Sequence, residues 1–102
     1  MSETKKQASR AAFDSYLRGE QPPEVELARA PSLDIWEASV CRDGEKRHLI
    51  LKGEVRGHPS LPDGKRIGTS EIIWLDRHCR WARTVNRLYR LEGRVIDDGI
   101  EL

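Results

Sequence analysis

Residues 53–91 read GEVRGHPSLPDGKRIGTSEIIWLDRHCRWARTVNRLYRL, and the pairing of the second half of that stretch decides the fold. It holds two of the chain's three Trp and its densest run of Arg. Residues 77–94 fit two periods. As a helix, Trp81, Val85, Leu88, Leu91 and Val95 share one face, and Arg80, Arg83, Arg87, Arg90 and Arg94 form a second stripe. As a strand, Arg83, Val85, Arg87, Tyr89 and Leu91 lie on one side, and Thr84, Asn86, Leu88 and Arg90 on the other. A helix gathers the arginines and a strand splits them. Composition alone leans to the helix.

Upstream the signals are clearer. Residues 67–75 are rich in β-branched side chains and read as one strand, with Ile72 and Trp74 on one face and Ile73 and Leu75 on the other. Apolar groups on both faces call for cover on both sides, by a helix and by a second subunit of a homodimer. Residues 57–66 are a loop marked by Pro59 and the Pro62-Asp63-Gly64 turn. Residues 33–42 and 46–56 read as a hairpin closed at Asp43-Gly44. Trp36, Ala38 and Val40 alternate on one side of the first strand; Leu49, Leu51 and Val55 do so on the second. Gly53 within that strand signals a bulge or a close backbone approach.

The N-terminal third is helical. Thr4 and Gln7 have capping-box spacing, and Ala12, Phe13, Tyr16 and Leu17 give residues 5–18 one apolar face. Gly19 and Pro22-Pro23 stop that helix. Pro23 opens a second short one, with Glu24 and Glu26 near its positive end, and Pro31 ends it.

At 102 residues the chain has room for one domain, 1–102, with a helical part at 1–31 and hairpins over 33–91. Whether the acidic tail at 96–102 is ordered stays open. Charged residues make up 34% of the chain, yet its net charge is only +1. Six Arg stand against Glu92 in residues 77–94, and Asp97, Asp98 and Glu101 follow. The N-terminus has no apolar core for a signal peptide, and no apolar run is long enough to span a bilayer, so a cytoplasmic protein is expected. Cys41 and Cys79 form no disulfide framework and no zinc spacing, and reduced thiols are expected.

The string Gly57-His58-Pro59, Pro62-Asp63-Gly64, Ile67, Thr69-Ser70, Ile73, Leu75-Asp76, Ala82-Arg83-Thr84, Tyr89 and Leu91 resembles a pattern in small bacterial, phage and mobile-element proteins with no assigned activity. In those it reads "GHP…DG..I.TS…LD….ART….Y.L". The resemblance covers about 40 residues and leaves out the N-terminal helix. It implies a strand ending near Leu75, a turn at Asp76–Arg80 and a return strand from Trp81 to Leu91. The expected architecture is then α+β: an N-terminal helix packed on an antiparallel sheet of about four strands in two hairpins.

No pattern in the chain implies a catalytic site, a metal or a cofactor. His48, His58 and His78 are far apart, His78 and Cys79 are neighbours that would point opposite ways in a strand, there is no phosphate-binding glycine motif, and no motif places a Ser or Cys on an elbow or beside a base. His58 and Asp63 share a loop, where Asp63 is better used capping backbone amides. The Arg-rich segment is the candidate partner-binding surface, with Arg77, Arg80, Arg83, Arg87 and Arg90 supplying charge and Trp81 and Tyr89 as apolar anchors. The bland alternative is a solvated face pairing with Glu37, Glu54, Glu71 or the tail. The expected function is that of a non-enzymatic inhibitor occupying the surface of a protein or ribonucleoprotein complex. The resemblance to mobile-element proteins narrows this to an anti-defence, anti-CRISPR role. A nucleic-acid-binding regulator using the same segment is the alternative, and an enzyme using Cys79 or His58 a third.

Overall fold

The computed structural model describes the backbone of residues 2–95 and the side chains of residues 10–95. The Thr4 and Gln7 side chains and the tail at 96–102 lie outside the described residues. Two helices, α1 (Ser2–Leu17) and α2 (Glu24–Arg29), precede six strands: β1 (Ser32–Asp43), β2 (Lys46–Arg56), β3 (Arg66–Gly68), β4 (Ile72–Leu75), β5 (Trp81–Thr84) and β6 (Leu88–Leu91). They form one sheet in the order β3-β2-β1-β6-β5-β4. All neighbours are antiparallel except β1 and β6, which pair in parallel at Ser32–Arg90 and Leu33–Leu91.

The α+β class holds, but six strands replace the expected four. The run 67–75 divides at Thr69–Glu71, and 81–91 divides at Val85–Arg87. The first division has a geometric cause. β3 and β4 lie on opposite edges of the sheet, yet only Thr69, Ser70 and Glu71 join them. Flat, those edges would stand about 24 Å apart, whereas four residue steps reach at most about 14 Å. The sheet must therefore curl toward a barrel. Thr69 fastens the crossing: its amide donates to the Leu51 carbonyl at 2.8 Å, and its Oγ1 accepts from the Leu51 amide at 3.0 Å.

Curling gives the sheet an inside and an outside. Leu33, Trp36, Leu51, Val55, Ala82, Tyr89 and Leu91 fill the inside, with Ile67, Ile72 and Leu75 at its margin. A bulge at Ile73 turns Ile72 and Leu75 inward together and leaves Trp74 to the outer face, a different division from simple alternation. On that outer face Trp74, Trp81 and Leu88 receive Tyr16, Ala12, Leu27 and Ala30 of the helical part. Aromatic rings bind α1 there: Tyr16 stands 4.9 Å from Trp81 and 5.8 Å from Trp74, centroid to centroid, and Phe13 meets Trp74 edge-on. Leu17, expected on the docked face, is 60% exposed. Gly19, with φ of +89°, ends α1 in a Schellman motif: its amide donates to Tyr16 and that of Glu20 to Ser15.

The Asp43-Gly44 hairpin and its strands fall where expected. Its apolar face does not run as simple alternation requires. Trp36 is buried, but a bulge between Asp34 and Glu37 breaks the period, and Ala38 and Val40 are exposed.

Candidate functional site

The arginines of the candidate surface sit at three places. Arg77 and Arg80 belong to the β4–β5 turn, which Asp76 organises. The Asp76 carbonyl accepts from the Cys79 amide at 2.8 Å, and its Oδ2 accepts from the Arg80 amide at 3.0 Å. Arg80 Nε also lies 3.5 Å from that carboxylate, so its charge is partly answered at home. Cys79 takes the left-handed conformation (φ +56°) that closes the turn.

Arg83 and Arg90 lie on the outer face of β5 and β6, half-covered by the helical part. Arg83 Nε donates to the Thr84 carbonyl at 3.2 Å, and its guanidinium lies near enough to the Tyr16 hydroxyl to favour the phenolate. Burial raises the Tyr16 pKa above its ordinary 10.0, and the Arg83 charge opposes that rise. Arg90 Nη1 donates to the Ala28 carbonyl at 3.2 Å and so ties β6 to the end of α2.

Arg87 belongs to the β5–β6 turn, at the other end of β5 from Arg77 and Arg80. Thr84 builds that turn. Its amide donates to the Arg87 carbonyl at 2.8 Å, and its Oγ1 accepts from the amides of Asn86 and Arg87 at 3.0 Å each. The Arg run is therefore two turns and a pair of half-buried struts, not one stripe.

Trp81 and Tyr89 are not surface anchors. They are 3% and 4% exposed, on opposite faces of the sheet, Trp81 beneath α1 and Tyr89 inside the curl. Strand alternation next to arginine hid this, because every second residue of β5 and β6 points into a core. Of the acidic partners considered, Glu37 holds Arg66 at 3.2 Å rather than a member of the run.

The fold adds a residue that the sequence reading missed. A shallow cleft of about 310 Å³ opens between the end of α2 and the β5–β6 turn, lined by Glu26, Arg29, Arg83, Asn86 and Arg87. Arg29 is 54 positions from Arg83, and only the docking of α2 joins them. The loop beside this end carries His58. Burial first, then the Arg87 charge, lower the His58 pKa below its ordinary 6.5. His58 Nδ1 accepts the Ser60 amide at 3.0 Å, and Asp63 Oδ1 accepts the Gly57 amide at 2.8 Å, so this loop is a capped turn. Among the described residues, no three His, Cys, Asp or Glu side chains gather as a metal site would require. No helix among them is long and apolar enough to cross a membrane.

No curated protein and no solved structure matches the chain. A family model does, over residues 5–101, so the match takes in the N-terminal helix as well as the 40-residue pattern. The chain belongs to DUF6634, a family of unknown function.

Proposed function

We propose that this protein is a non-enzymatic binding module whose cleft of Arg29, Arg83 and Arg87 occupies an acidic surface on a protein partner. The observation that carries the reading is that three arginines, Arg29, Arg83 and Arg87, line one shallow site whose lining holds a single acidic residue, Glu26. Arg83 is held by the Thr84 carbonyl, so part of the site is preorganised before a partner arrives. Arginine in such a setting forms bidentate contacts with carboxylates.

Protein is favoured over nucleic acid for two reasons. Burial of Trp81 and Tyr89 leaves the cleft without an aromatic platform for base stacking. The net charge of +1 is also low for a phosphate-tracking surface. The narrower anti-defence version rests on the resemblance alone and concerns only the identity of the partner.

The test is affinity capture from host lysate, with and without nuclease, by the wild type and by Arg29→Glu/Arg87→Glu. Neither side chain makes a hydrogen bond or ion pair within the described fold, so the variant should keep the wild-type circular dichroism spectrum. The expected result is a stoichiometric complex that survives nuclease and is lost in the variant. Equal capture by both proteins would reject the cleft, and material recovered only without nuclease would put nucleic acid first.

A further inference from the structure

Beyond the cleft, we infer that the free half of the β1–β2 hairpin is a second docking surface, shaped for an extended acidic, apolar-alternating segment of another protein. β1 and β2 are 12 and 11 residues long, but their neighbours cover only one end. β6 pairs with Ser32 and Leu33, with one further bridge at Trp36, and β3 pairs with Lys52–Glu54. Among the described residues, Ser39–Asp43 and Lys46–Ile50 pair only with each other, as a two-stranded arm.

The two faces of that arm differ sharply. On one face Glu37 opposes Lys52 and bonds Arg66, and Asp43 opposes Lys46. Its charges are of both signs and stand opposite one another. The other face continues the interior of the sheet outward from buried Leu51 through the pairs Ala38–Leu51 and Val40–Leu49 to Arg42–Arg47. Val40 on it is 65% exposed. That face holds no carboxylate, and the two arginines stand directly opposite each other with no acidic partner among the described residues. Like charges in directly opposed positions destabilise a hairpin. An isolated two-stranded ribbon has little stability in reserve to offset that cost.

Charge complementarity fixes the chemistry of the occupant. An extended segment with alternate apolar residues would cover Val40 and Leu49 as the core covers Leu51, and its carboxylates would reach Arg42 and Arg47. A nucleic acid suits the arm less well, because Asp43 and Glu45 stand at its tip and repel phosphate.

The experiment uses the full chain, labelled with nitrogen-15, titrated with the peptide acetyl-(Asp-Leu)4-amide. Acetyl-(Lys-Leu)4-amide and a 12-nucleotide single-stranded DNA are the comparison probes. The expected result is amide shifts confined to residues 38–51 with the acidic peptide only. Arg47→Glu should weaken that binding roughly tenfold while raising Tm, because the new carboxylate pairs with Arg42 in place of the ligand. Arg42→Gln/Arg47→Gln should weaken it similarly without introducing a new ion pair. Shifts at Arg29, Arg83 and Arg87 alone, no shifts at all, or DNA acting more strongly on the arm than the peptide would each overturn the inference.

Discussion

A Cβ placed on Gly53 would stand 2.8 Å from Cγ of Leu33 and 2.9 Å from the Asp34 carbonyl oxygen. Gly53 lies across from the β1 bulge, where the backbone of β1 comes close against it. Leu33 is fixed by the parallel pairing to β6, and Asp34 by its pairing with Glu54 and its bond to the Gly93 amide, so neither can yield cheaply. Gly53→Ala should destabilise the protein by about 2 kcal/mol, in the range of an overpacked core. Gly68→Ala is the control, since its Cβ would meet only Ile50 Cδ1 at an ordinary 3.5 Å. Urea denaturation of the two variants should separate them by at least about 1 kcal/mol.

The bulge itself stores strain. Ile35, a β-branched residue, takes φ of +49° with its side chain 46% exposed. That conformation costs an L-residue roughly 1–2 kcal/mol, and much less for asparagine. Asp34 holds the segment in place, its Oδ1 accepting from the amides of Ile35 at 2.9 Å and Gly93 at 2.8 Å. Ile35→Asn should therefore leave the bulge intact and raise stability by up to about 1 kcal/mol, read as an increase in Tm.

What the sequence discloses here divides by range. Asp43-Gly44 specifies its hairpin locally, and the Gly19 and Pro31 stops work the same way, so these features lie where the residues place them. The division at Thr69–Glu71 has no local cause. The run 67–75 is rich in β-branched residues, its polar Thr69–Glu71 centre is compatible with a continuous strand, and it is the curl of the whole sheet that obliges it to leave one edge and join the other. The site shows the same limit. Asp63 as a turn cap was legible because its partner amide is six residues away, but the cleft depends on Arg29 meeting Arg87 through the docking of α2. Burial of Trp81 and Tyr89 was obscured for a further reason. A strand covered on both faces shows no polar side, and interleaved arginines whose heads reach carbonyls or solvent imitate one.

Asp76 is 4% exposed, and it satisfies the Arg80 amide through its side chain and the Cys79 amide through its carbonyl. Asp76→Ala removes the side-chain acceptor and leaves the Arg80 amide unpaired in the β4–β5 turn. The expected loss is about 1–3 kcal/mol. Asp76→Asn keeps an acceptor oxygen and should recover part of that loss. If the alanine variant unfolds at the same denaturant concentration as the wild type, the turn does not depend on this side chain.

Alkaline stability follows from two tyrosines. Burial raises the pKa of both Tyr16 and Tyr89 above the ordinary 10.0, while Arg83 and Arg87 respectively oppose the rise. The folded state thus favours the neutral phenol more than the unfolded chain does. This contribution is fully present below pH 10 and is lost as pH climbs through the raised folded values. Unfolding should track phenolate formation above pH 10, followed by absorbance at 295 nm alongside circular dichroism. Tyr89→Phe should flatten the fall, because one coupled ionisation is gone.

Arg83 and Arg87 are four residues apart, but they should respond differently to the same charge reversal. Arg83 bonds the Thr84 carbonyl and sets its charge beside the Tyr16 hydroxyl beneath the edge of α1. A glutamate there loses that bond and that charge and sets a carboxylate beside a buried phenol, with Glu26 also within electrostatic reach. Arg83→Glu should cost about 2–3 kcal/mol and loosen α1, seen as a rise in Trp fluorescence wavelength on exposure of Trp74 and Trp81. Arg87 contributes its backbone to the turn and its charge to the cleft, so Arg87→Glu should change stability by no more than about 0.5 kcal/mol. A loss of partner binding in the Arg87 variant then reports on the surface itself, whereas the same loss in the Arg83 variant reports first on the docking of the helix.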